Sequence, residues 1–271
     1  MVISRRRRRA GGVTLKSARE LELMRKAGQI VAEALAAMTE HVAPGVTTAE
    51  LDAIATEVIA RHGAIPSFKG VPANRPGVPD FPASITACIN EEIVHGIPGA
   101  RRLREGDIVS LDVGAIYQGY HGDAAVTVPV GQVNGEVQHL LDVTKAALYA
   151  GIEQARPGHR LWDVIRAIQA TVESNGYSVI REYQGHGIGQ SMHEPPSVPN
   201  FLGYGGPRPR NLRLRPGMTM ALEPMVAAGD WHTEVLPDGW TVVTADRSLS
   251  AHFEHTIVVT ENGPEILTQR T

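Results

Sequence analysis

Two aspartates, Asp112 and Asp123, flank the turn-prone segment Tyr117-Gln118-Gly119, and a hairpin there would set both carboxylates on neighbouring strands. They are spaced symmetrically about that turn, so we expect them directly opposed, with Cβ atoms about 4.5–5.5 Å apart. Carboxylates that close repel, and more so beside the apolar run Ile108-Val109-Ser110-Leu111. A bound cation removes the penalty. The alternative is that one of the two is a turn aspartate facing water.

Glu223, within Met218 to Met225, and Glu254, within Ala251 to Val259, raise the same problem in strand-like apolar surroundings. Burying an unpaired carboxylate costs several kcal/mol or forces protonation, so each needs either an arginine or a metal. His186 and His193 lie in the glycine-rich run Gly185 to Pro195, where small residues let two imidazoles approach a cleft. That run follows neither the dinucleotide fingerprint nor a P-loop. His95, in Asn90 to Pro98, is a third candidate, whereas His121, His139 and His252 read as structural. Cys88 is the only cysteine and lies in the apolar run Ala83 to Ile89, so we expect a buried thiol without chemistry.

The elements that carry these groups follow from pattern. Ser17 and Glu20 form a capping box for a helix to Glu40, and Thr47 and Glu50 form one for a helix to His62 that Gly63 stops. Further helices are expected over Glu136 to Arg156 and Leu161 to Asn175. Strands are expected over Ser84 to Asn90, Ile108 to Ile116, Ala124 to Val130, Val179 to Tyr183, Met218 to Val226, Thr241 to Ala245 and Phe253 to Thr260. Gly70 to Pro82 is too rich in turn residues for regular structure.

The plan repeats. Leu103-Arg104-Glu105-Gly106 runs to Asp112, and Leu214-Arg215-Pro216-Gly217 runs to Glu223. Pro44-Gly45 and Pro157-Gly158 are each followed 18 residues later by a glycine. An offset of 111 to 113 residues is too long for a solenoid, so two halves about a pseudo-twofold axis are expected, residues 17–133 and 134–271. Blocks of helices and antiparallel strands make the class α+β. Residues 1–16 read as a basic, disordered arm containing the run Arg5 to Arg9.

A net charge of −3 and a pI near 6.4 give no general drive toward nucleic acid or anionic membrane. The arginine run is the local exception and would suit a polyanionic surface such as a ribosome. No apolar stretch follows it that would make a signal peptide, and none is long enough to span a bilayer. With one cysteine, a reducing cytoplasmic setting is expected, and sequence-specific nucleic-acid binding is not.

The ordered set Asn90-Glu-Glu-Ile-Val-His-Gly-Ile-Pro98, Asp112 with His121-Gly-Asp123, Gly185-His-Gly-Ile-Gly189 with His193-Glu194-Pro195, Glu223-Pro-Met225 and Phe253-Glu-His-Thr256 closely resembles the type I methionine aminopeptidases. The resemblance runs from Ser17 to the C-terminus. It implies the pita-bread fold and two divalent cations, of cobalt, manganese, iron or zinc, held by Asp112, Asp123, His186, Glu223 and Glu254. Such a pair activates water and polarises a scissile carbonyl. His95 and His193 would contact substrate and stabilise the reacting centre, and Glu223 would also shuttle the proton. Phe68, Phe81, Thr86 and Trp240, with Met192 nearby, would wall the methionine pocket. Thr86 stands where the family often has cysteine, which implies low sensitivity to thiol reagents.

By the same resemblance the reaction is removal of N-terminal methionine from nascent chains and peptides, with a small second residue preferred, by a monomer. The chain departs from the family at Val71 to Asp80, where an expanded loop puts the pocket rim in question. Proline-specific aminopeptidase or prolidase action and a non-catalytic ribosome-associated module are the competing expectations on this fold.

Overall fold

Among the described residues two helix pairs back the sheets, and local caps start all four helices. In α1 (Ala18–His41) the Glu20 carboxylate accepts the Ser17 amide at 2.7 Å, while the Glu20 amide donates to Ser17 Oγ. In α2 (Thr48–Arg61) Thr47 and Glu50 repeat the box. Asn134 caps α3 (Gly135–Gln154), and Asp163 takes the Arg160 amide at the start of α4 (Leu161–Ser174). Val31, Leu35 and Met38 of α1, Leu148 of α3 and Ile165 of α4 enter one core with strand residues such as Ile85 and Leu111. The computed structural model describes residues 9–10, 12–73, 75–203 and 209–269.

Among the described residues all strand pairs are antiparallel. In the first half Ile108–Tyr117 lies between Ile65–Pro66 and Ile85–Ile89 and also pairs with Tyr120–Pro129. In the second, the order is Glu194–Pro199, Gln184–Gly187, Thr219–Leu222, His255–Thr260 and Gly263–Ile266.

The duplication is visible bond by bond. The amides of Leu103 and Leu214, both buried, donate to Val46 and His159 at 2.8 and 2.9 Å. Gly106 and Gly217 share a φ of 87°, and their amides donate to Val130 and Val259 at 2.9 Å each. The amides of Val130 and Val259 return to Asp107 and Met218. Only glycine takes that left-handed φ without steric cost, so the two Leu-Arg-x-Gly turns are equivalent parts. The halves meet where the Glu254 amide donates to the Ala125 carbonyl at 2.9 Å.

Several expectations are corrected. The hairpin turns over two residues, Gln118 and Gly119, with φ of 47° and 82°, which fits the type I′ turn that matches strand twist. Tyr117 therefore pairs with Tyr120, Asp112 with Ala125 and Asp123 with Gly114. The two aspartates are diagonal neighbours, not directly opposed.

Glu223 and Glu254 do not lie inside strands. Strands Thr219–Leu222 and Met225–Ala227 are separated by Glu223-Pro224, and Ser250–His252 and His255–Thr260 by Phe253-Glu254. Pro224 has no amide for the ladder. Ser178–Val179 likewise stops before Tyr183, and a separate strand, Gln184–Gly187, carries His186.

Within residues 1–16, expected to be a disordered arm, Val13 is buried in the core, Val13–Thr14 pairs with Arg9–Ala10 and the Lys16 side chain is buried. Alternating apolar Val13 and Leu15 supply the reason. Arg5 to Arg8 lie outside the described residues, as do residues 204–208. Asn200 is fully buried, its Nδ2 donating to the Glu223 carbonyl at 3.0 Å. Among the described residues no helix is long and apolar enough to cross a membrane.

Candidate metal centre

Asp112 projects from the middle of Ile108–Tyr117, and Thr86 faces it in register on the next strand. Burial pushes the Asp112 pKa up to about 7, outweighing the opposing influence of the neighbouring Asp123 and Thr86 side chains. Asp123 is raised well above the carboxylate range by burial and then by the charges of Asp112 and Glu223. Burial raises Glu254 and Glu223 as well, with neighbouring carboxylates adding to it. Four acids thus sit where water cannot screen their mutual repulsion. Asp112 Oδ1, Asp123 Oδ1 and Glu254 Oε1 are buried without a hydrogen-bond partner.

His186 completes the cluster. Its Nδ1 lies 3.0 Å from the Gly187 carbonyl, which can only accept, so Nδ1 carries the hydrogen and Nε2 presents a lone pair. Nε2 stands 3.5 Å from Glu223 Oε1 and 3.9 Å from Asp123 Oδ2. Burial, and then His193, holds the His186 pKa down to about 4, so the ring is neutral at physiological pH. A lone pair facing carboxylate oxygens is repulsive unless a cation or shared proton lies between them.

Ligand atoms of Asp123, His186 and Glu254 all lie within 4.8 Å of one another. Asp112 joins them as the diagonal neighbour of Asp123 across the hairpin, and Glu223 through its approach to His186. Among the described residues no lysine or arginine pairs with any of the four acids. The orphaned oxygens, the hard donor set and the neutral imidazole fit a divalent metal.

The cluster lies in a cavity of about 710 Å³. Phe68, Phe81, Thr86, Met192 and Trp240 all line it, with His95 and His193. Phe81 meets Trp240 edge-on at 5.1 Å between ring centres, and His95 meets Trp240 at 6.4 Å. The His193 and His186 rings are 4.3 Å apart. His95 follows strand Glu92–Val94 with a φ of 62°, a left-handed conformation that costs a non-glycine residue about 1–3 kcal/mol and persists where surroundings enforce it. Burial and the nearby His193 hold its pKa at about 4. The loop after Gly70 is pinched by hydrogen bonds between Gly70 and Phe81 and between Phe81 and Val71, and Trp240 Nε1 donates to Pro79 O at 3.0 Å. Val71 and Pro72 thereby reach the rim.

Some lining residues escaped the sequence reading. Tyr183 packs edge-on against His95 at 5.7 Å, and its place just before Gln184-Gly185-His186 was the available signal. His252, read as structural, is buried and lines the cavity, with Nε2 unpartnered. Its proximity to His95 depends on packing between distant strands and leaves no local signal. His121 stays out of the lining, bonded to Ser67 Oγ at 3.0 Å, and His139 stands exposed beside Tyr177. Cys88 is buried and accepts the Gly96 amide.

Residues 22–261 match the model of metallopeptidase family M24. The chain is 49% identical to methionine aminopeptidase 1 of Bacillus subtilis over 257 residues, covering 95% of this chain and 99% of that protein. It is 47% identical to the methionine aminopeptidase of Aquifex aeolicus, across 95% and 99%. The crystal structure of methionine aminopeptidase from Thermotoga maritima superposes with a TM-score of 0.88 at 45% identity, covering 95% of this chain and 100% of that one. Prolidase from Pyrococcus horikoshii shares the fold, with a TM-score of 0.72 at 23% identity, and this chain spans 64% of it.

Proposed function

Since the chain belongs to metallopeptidase family M24 and, within it, to the methionine aminopeptidases, we propose that its cavity releases methionine from the N-terminus of nascent chains and peptides whose second residue is small. The observation that carries this reading is the buried group of four carboxylates and a neutral His186 beside an aromatic pocket.

Asp112, Asp123, His186, Glu223 and Glu254 would hold two divalent cations, of cobalt, manganese, iron or zinc. When bound, the metal supplies Lewis acidity and lowers the pKa of water at the site. Glu223, held at a strand break with its backbone carbonyl fixed by Asn200, carries a proton between the attacking and leaving groups. His193 and His95, both neutral through burial, donate hydrogen bonds to the substrate's peptide groups without bringing a competing charge. Phe68, Phe81, Trp240 and Met192 take the thioether side chain, with Thr86 at the acid end. Thioether against aromatic edges gains about 0.3–1.5 kcal/mol per contact.

In this reading the protein acts as a monomer in the cytoplasm, where nascent chains are made. The test is release of free methionine from Met-Ala-Ser by protein reconstituted with each metal, beside Met-Leu-Ser and an Ala-Pro dipeptide. Rapid cleavage of Met-Ala-Ser alone is expected. Cleavage restricted to Ala-Pro would overturn the reading in favour of prolidase action, and loss of metal in Asp123→Ala would check the ligand assignment.

A further inference from the structure

Lys16 has no part in the chemistry above, yet it is one of the most enclosed charges in the protein. Its side chain is 3% exposed, and Nζ donates to Glu194 Oε2 at 2.6 Å, with the Glu194 side chain 10% exposed. The other carboxylate oxygen accepts the amides of Gln190 at 2.9 Å and Ser191 at 3.2 Å. Burial alone would raise the Glu194 pKa, but the Lys16 ammonium and these amides outweigh it and hold the carboxylate ionised. Such a buried pair adds little net stability, since desolvating two charges offsets most of their attraction. Its geometric consequence is larger: a loop is wound around one carboxylate.

Both ends of the arrangement are fixed. The Lys16 amide donates to the Gly217 carbonyl at 2.8 Å, on the turn that leads to Glu223. The Gly189 carbonyl accepts the His121 amide at 2.8 Å, and a Cβ on Gly189 would lie 2.5 Å from Lys16 Cε and 2.6 Å from Glu194 Oε1. The loop therefore closes tightly over the ion pair. His193 is the residue immediately before Glu194, and its ring lies 4.3 Å from that of His186.

We propose that Lys16 is a positioning residue for His193: it fixes the Glu194 carboxylate, and the carboxylate fixes the loop Gly189–Glu194 that presents the imidazole to substrate. Without the ammonium, a buried carboxylate must protonate or turn toward water, and either change loosens both loop amides at once. A displacement of about 1 Å at a group touching the reacting centre costs on the order of 100-fold in rate. This inference rests on His193 contacting substrate, as assigned above.

The experiment is a double-mutant cycle on the full-length, metal-loaded protein with Met-Ala-Ser as substrate. Lys16→Met should lower kcat by about 10- to 100-fold with KM little changed and metal content intact. Lys16→Arg, which keeps the charge, should recover part of the rate. Glu194→Gln, which keeps an oxygen for the two amides but drops the ion pair, should fall between.

The deciding result is that Lys16→Met costs nothing further in a His193→Ala background. Equal losses in both backgrounds would mean general destabilisation and would overturn the proposal, as would full kcat in folded Lys16→Met. If Lys16→Met does not fold, Glu194→Gln and Lys16→Arg run the same cycle. Full rate in His193→Ala removes the assignment of His193 and this proposal with it. A loss there with none in Lys16→Met removes the positioning role alone.

Discussion

The Thr256 hydroxyl sits between the amide and the carbonyl of Asp123, accepting from the first at 3.0 Å and donating to the second at 2.8 Å. This ties the second half of the chain to the backbone beneath a metal-ligand candidate of the first. Thr256→Val keeps the shape and orphans both groups, at a cost of about 1–3 kcal/mol in stability. Metal affinity should fall by about 10- to 100-fold, as for other groups that orient a ligand. Chemical denaturation and metal titration would measure the two effects, and unchanged affinity would disconnect Thr256 from the site.

The acids also set a pH dependence. Asp112 is raised from 3.8 to about 7, and Asp123, Glu223 and Glu254 move in the same direction. A carboxyl with a raised folded pKa binds its proton more tightly in the fold than in the unfolded chain. Its stabilising contribution is complete below the unfolded pKa and is lost as pH rises through the folded one. The chelated protein should therefore lose melting temperature between about pH 4 and about pH 7, the window that Asp112 defines. Added divalent metal should reverse the loss and release protons, seen by calorimetry in buffers of different ionisation enthalpy. A flat melting profile in chelator would contradict the stacked-acid geometry.

Trp240 should matter for binding rather than for the metal. It closes on Phe81 and His95 and holds Pro79 of the loop through Nε1. Trp240→Ala removes a wall and frees the rim, so kcat/KM for Met-Ala-Ser should drop by about 10- to 100-fold, mainly through KM. Metal content should stay the same, and a loss confined to kcat would count against the assigned role.

Thiol reagents should leave the enzyme active. Cys88 is buried, burial pushes its thiol pKa up, and the cavity is lined at position 86 by a threonine. Iodoacetamide should neither label the native protein nor inhibit it, and labelling should appear only on unfolding. Inhibition of native protein would place Cys88 within reach of the site.

The helices were legible because their signals are local: Ser17 with Glu20, and Thr47 with Glu50, settle their own caps within one turn. The halves were legible because Leu-Arg-x-Gly repeats at a fixed offset and demands the same left-handed glycine twice. The acids stood out because carboxylates in apolar runs need an explanation wherever they occur. Strand boundaries were not fixed so locally. Pro224 breaks a ladder whose apolar pattern runs straight through it, and a one-residue difference in turn placement moved Asp112 from opposite Asp123 to opposite Ala125.

By itself the sequence determined which groups are candidates for chemistry, since residue type and motif order are written along the chain. Tertiary structure alone decided how they meet. The joining of Glu254 to Ala125, the place of His252 beside the pocket and the reach of Lys16 to Glu194 depend on contacts between residues more than a hundred positions apart. Local periodicity carries no record of such contacts, because they form only when the packing of two half-chains about one axis brings those residues together.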